Sequence, residues 1–172
     1  MSKIFTCLIS LFLMSGVLSA DVVGFWKTVD EETGKAESIV AIYEYKGKYY
    51  GRIIITFDND GKIQDSIEAP KKRAQGVIGN PFYAGLDILW DLKPQGTKYV
   101  NGEILDPQRG RVYDAKIWND NGKLIVRGEL LIFGRNQTWP PAEESDFPPG
   151  FKKPVLAELV PAIPKVSEPD ID

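Results

Sequence analysis

The chain has 172 residues, 21 Lys and Arg against 24 Asp and Glu, 43% hydrophobic residues, one cysteine and no histidine. The lack of histidine excludes Ser-His and Cys-His nucleophile pairs and the usual zinc sites. The mild acidity and absence of a basic stripe make nucleic acid an unexpected partner.

Residues 1–20 read as a secretory signal peptide: Lys3 is the only charge, Ile4–Val17 is a mainly apolar run, and Leu18-Ser19-Ala20 offers a cleavage point before Asp21. The run is about 14 residues, where a membrane span needs roughly 20. Cys7 lies inside that run and not at the cleavage point a lipoprotein requires. Cleavage leaves 152 residues without cysteine, so stability must come from a packed core. The expected destination is the periplasm or the exterior, with no membrane-spanning segment left.

Eight β-rich runs then follow in order: Val22–Val29, Glu37–Tyr45, Lys48–Phe57, Leu86–Leu92, Lys98–Leu105, Arg111–Trp118, Lys123–Leu131 and Phe133–Trp139. Lys46-Gly47 and Asn121-Gly122 are tight hairpin signals. Alternation places Tyr49, Gly51, Ile53, Ile55 and Phe57 on one face, and Tyr113, Ala115 and Ile117 on another. Eight consecutive antiparallel strands without long crossovers predict an all-β, eight-stranded up-and-down barrel over residues 21–139. Asp58–Ala84 is a long insertion, of the length often used for lids or binding loops. Residues 140–172 hold 8 of the 12 prolines and seven acidic against three basic groups, which predicts an extended acidic tail that drapes on the barrel or stands free of it.

Gly24-Phe25-Trp26 opens the first strand as G-x-W. Tyr50-Gly51-Arg52-Ile53, Gly102-Glu103-Ile104-Leu105-Asp106-Pro107 with Gly110 and Tyr113, Leu124-Ile125-Val126-Arg127-Gly128, and Gly134-Arg135-Asn136-Gln137-Thr138-Trp139 follow in order. Together, over roughly residues 22–140, they resemble the exported bacterial family called domain of unknown function 2147. The resemblance implies a lipocalin-like barrel in a Gram-negative envelope or secretome, and brings no catalytic residues. It also implies structural roles for Gly24, Trp26 and Arg135, with the Arg135 guanidinium stacked over Trp26 where the first and last strands close the barrel. On that basis Arg135→Ala is expected to cost about 2–4 kcal/mol, and Arg127→Ala, on the outer face, about 0.5 kcal/mol or less.

Arg135, Gln137 and Trp139 alternate onto one face of the last run. Facing inward, they join Tyr113 and Tyr49 as candidate ligand-binding residues, polar groups among apolar walls. The competing expectation is a filled core in which these groups satisfy one another. Gly51, Gly102, Gly128 and Gly134 either leave room for a ligand or relieve crowding. Lys71-Lys72-Arg73 in the insertion is a cationic patch or a solvated run. The Asp58-Asn59-Asp60-Gly61 and Asn119-Asp120-Asn121-Gly122 turns lack the carboxylates of a calcium loop. Glu103, Asp106, Asp114 and Asp87 show no spacing that selects a catalytic pair. No enzyme activity, metal or cofactor is therefore expected. Two functions are: an exported binder or carrier of a small apolar or amphipathic molecule, or an envelope interaction module with a filled barrel, acting through its tail.

Overall fold

In the computed structural model, residues 21–130 and 133–166 are described, so the expected signal peptide lies outside the described residues. Nine strands form: β1 (Gly24–Val29), β2 (Ala36–Tyr45), β3 (Lys48–Phe57), β4 (Ile63–Ser66), β5 (Asp87–Gln95), β6 (Lys98–Asp106), β7 (Arg111–Asp120), β8 (Lys123–Leu130) and β9 (Phe133–Trp139). Eight are the expected ones, in an antiparallel meander ordered β1-β2-β3-β5-β6-β7-β8-β9. The ninth, β4, lies inside the 58–84 insertion and pairs with the end of β3.

Turn chemistry sets the pairing. Lys46 and Gly47 take φ of 51° and 77°, and Asn121 and Gly122 take 51° and 81°, the left-handed pairs that match strand twist in two-residue hairpins. From the first turn, β2 pairs β3 without interruption from Tyr45↔Lys48 to Val40↔Ile53. There Ile54 bulges, and the register resumes as Ile39↔Ile55 and Ser38↔Thr56. The bulge corrects the expected face of β3. Ile54 and Ile55 both join an outer cluster, and Thr56 turns toward the interior.

Among the described residues no ladder joins β9 to β1; the seam is made just beyond β9, by a single bridge of Trp26 with Pro141. The chain runs on past Trp139, the Lys27 amide donates to the Pro140 carbonyl (2.8 Å), and the Ala142 amide donates to the Phe25 carbonyl (2.8 Å). One end is plugged by a cluster including Val22, Trp26, Ile42, Leu92, Tyr99 and Leu124. Val22 is fully buried, and its carbonyl accepts the Trp26 indole N–H at 2.8 Å.

The described part of the tail, residues 140–166, lies as a strap against the barrel. Phe147 buries against Ile39, Ala41, Ile54 and Ile55 on the outer face of β2 and β3, and Phe151, Leu156 and Leu159 pack beside it. The strap ends against the insertion, where the Ile78 amide donates to the Lys165 carbonyl (2.8 Å). Between these points lies a buried polar knot. Asp87, wholly buried, accepts from the Tyr43 hydroxyl (2.9 Å), from Arg52 Nε (3.0 Å) and Nη2 (2.7 Å), and from the Ala162 amide (2.7 Å). Arg52 also donates to the Val160 carbonyl at 2.8 Å. Burial, and then the Asp87 charge beside it, push the Tyr43 phenol well above its ordinary range.

Candidate functional site

The end of the barrel opposite the plug opens into a cavity of about 900 Å³. Its apolar wall comes from Ile53, Ile88, Ile104, Val126 and Trp139, contributed by five different strands. Its rim carries the β1–β2 turn, the 58–84 insertion and the β6–β7 turn. The insertion can lie this close to the β6–β7 turn because two glycines face each other. A Cβ on Gly76 would stand 2.5 Å from the Gly110 amide nitrogen, and one on Gly110 would meet the Gly76 carbonyl.

Four of the five expected ligand-binding residues come together. Arg135, Gln137, Trp139 and Tyr113 all line the cavity. Trp139 is 1% exposed and donates its indole N–H to Gln137 Oε1 at 3.1 Å. Tyr49 does not line it; its ring packs edge-on against Tyr99, with centroids 4.4 Å apart, among the plug residues. Burial and the neighbouring Tyr99 raise the Tyr49 phenol above its usual range.

The expected Arg135–Trp26 stack is overturned. Arg135 sits at the rim with its side chain 73% exposed and pairs with Glu31, while Trp26 is held by Val22. No cation–π contact joins the two among the described residues. The physical reason is their placement at opposite ends: Trp26 belongs to the plug, and Arg135 lies four residues before Trp139, toward the open end.

The strand glycines divide. A Cβ at Gly51 would stand 2.9 Å from Ile42 and 3.0 Å from Leu89, and one at Gly102 would stand 2.5 Å from Leu92, so these two relieve crowding. Gly134 lies beneath the Arg127 guanidinium. Gly128 alone of the four lines the cavity, and a Cβ there would meet Ile104 at an ordinary 3.5 Å. The basic run is engaged too: Lys72 lies 4.8 Å from the Tyr83 ring centre, and Arg73 4.0 Å from that of Phe82.

Sequence reasoning missed the polar wall. Thr28, Ser38 and Thr56 are register partners across β1, β2 and β3, and all three line the cavity. The Thr28 and Ser38 hydroxyls are 2.7 Å apart and hydrogen bonded. Thr56 Oγ1 is buried with no hydrogen-bond partner among the described residues. Glu37, beside Ser38, is exposed at the mouth; partial desolvation there, and then the charge of Asp30, push its carboxyl above the ordinary 4.5 against the pull of Lys72. Among the described residues no group of three or more His, Cys, Asp and Glu is placed to hold a metal ion, and no helix is long and apolar enough to cross a membrane.

A meander closed at one end and hollow at the other defines a lipocalin-like barrel. The same architecture is seen in protein HP1028 from the human pathogen Helicobacter pylori, described as belonging to the lipocalin family. That match has 19% sequence identity and a TM-score of 0.57, and covers 73% of this chain and 86% of the other. The chain belongs to the DUF2147 family, described as an uncharacterized protein conserved in bacteria, whose model matches residues 24–140. No curated protein matches the chain.

Proposed function

We propose that the protein is an exported binder or carrier of a small apolar or amphipathic molecule, working by binding and not by catalysis. The cavity of about 900 Å³ carries this reading, because ligand sites for small molecules fall at about 300–1,000 Å³; here an apolar floor lies beneath a polar mouth, which suits an amphipathic molecule. Burying about ten methylenes contributes roughly 8 kcal/mol before the costs of association, which is compatible with micromolar binding. The cavity at the open end weighs against a barrel filled throughout, and the burial of Phe147 against the sheet weighs against a tail held free for partners.

Gly128→Leu tests the reading. The position faces the cavity without crowding, so the new side chain fills ligand space and leaves the barrel intact. Gently purified wild-type protein should carry apolar small molecules in mass spectrometry, and the folded variant should carry none. Repeatedly empty wild-type protein, or equal loading of the two, refutes the proposal.

A further inference from the structure

Within that binding reading, the cavity also contains information about the ligand's polar end. Thr56 Oγ1 is an unpaired donor and acceptor in a residue only 7% exposed, on the wall of a cavity. A buried hydroxyl left without a partner is unfavourable; turned about χ1 into the cavity that Thr56 lines, it takes its partner from a molecule bound there. Beside it the Ser38 and Thr28 hydroxyls extend the same polar strip over three adjacent strands.

The charges around the strip select the partner. Glu37 follows the strip along β2, Asp30 follows it at the end of β1, and both line the mouth. The rim cations are already engaged: Arg135 with Glu31, Arg109 with Asp106 (2.8 Å), Lys35 with the Asn59 carbonyl (2.7 Å), and Lys72 over the Tyr83 ring. With the Arg135–Glu31 and Arg109–Asp106 pairs set aside, the mouth carries Asp30, Glu37 and Asp58 against Lys35 and Lys72, so a carboxylate head meets a net negative charge. It also could not donate to a threonine oxygen, whereas an alcohol both donates and accepts.

We propose that the cavity takes an aliphatic ligand with a neutral, hydroxyl-bearing head, docked on the Thr28–Ser38–Thr56 strip with its chain against Ile104, Tyr113 and Gly128. The test is calorimetric titration of the purified protein at pH 8 with 1-decanol and with decanoate, which is ionised there. Decanol should bind at least about tenfold more tightly than decanoate. Thr56→Val, which keeps the shape and removes the hydroxyl, should weaken decanol about three- to tenfold, the range of one neutral hydrogen bond, and leave decanoate unchanged. Decanoate binding as tightly as decanol, or decanol binding unaffected by Thr56→Val in a folded variant at least as stable as wild type, overturns the assignment of the head. If the wild-type protein binds neither molecule, the carrier reading falls and this inference with it, whereas binding of both without preference removes only the inference.

Discussion

Arg127 and Arg135 lie on neighbouring strands, and both end in exposed or half-exposed ion pairs. Arg127 bonds Glu129 at 2.5 Å and Asn136 at 2.9 Å; Arg135 reaches Glu31. Surface pairs of this kind contribute about 0–1 kcal/mol. Arg135→Ala should therefore cost about 1 kcal/mol or less in urea unfolding, and a loss of 2 kcal/mol or more would restore a seam role for it. Arg52 differs, because its partner Asp87 has no exposure at all. Removing one member of a buried pair leaves an uncompensated charge, so Arg52→Ala should cost about 3–5 kcal/mol; a change near zero would show that the knot is dispensable. Glu37 titrates with the opposite sign to a paired acid. Its folded pKa is raised, so the native state binds the extra proton, and stability falls as pH rises from the ordinary 4.5 through the folded value. Glu37→Gln should raise the urea midpoint at pH 7, with the difference vanishing below about pH 4.5. A midpoint unchanged at pH 7 would contradict the partial desolvation of that carboxyl.

At the scale of elements, the eight runs were legible because alternation and glycine turns are local signals. Counting outward from Lys46-Gly47 gives the β2–β3 register correctly as far as Val40↔Ile53. It fails at Ile54, since a bulge among three consecutive isoleucines leaves no compositional mark. That one residue hides the polar strip: without the bulge Ser38 would pair with Ile55, and Thr56 would face away from the cavity. The face of Arg135, Gln137 and Trp139 was legible from alternation alone, whereas which end of the barrel each residue occupies was not. Tyr49 was misplaced for the same reason. The tail posed a different difficulty. Its prolines and acids describe an extended chain, and its spaced apolar residues acquire a partner only once β2 and β3 present an outer apolar face. Phe147 is 7% exposed on that face, so Phe147→Ala should destabilise the protein by about 3 kcal/mol. Thermal or urea unfolding of the variant indistinguishable from wild type would mean that the strap only rests there.

For the whole molecule, the strap divides the barrel into unequal parts. The outer face of β2 and β3 is covered by the strap, while β6 to β8 present a charged outer face with ion pairs such as Lys116–Glu129 at 2.7 Å. The strap then reaches the insertion at Ile78, and the insertion contributes Lys72 and Tyr83 to the rim. The mouth is thus braced from outside by residues remote from it in sequence.

The seam has a kinetic consequence. Pro140 and Pro141 have no amide hydrogen to give, so the Lys27 and Ala142 amides supply the backbone bonds that join this segment to β1, against the longer ladders of β2–β3 and β7–β8. Local opening follows the line with the fewest bonds to break. In deuterium the Lys27 and Ala142 amides should lose their protons well before those of Val40 and Ile42, and a small molecule entering the barrel should slow all four if it spans the gap between first and last strands.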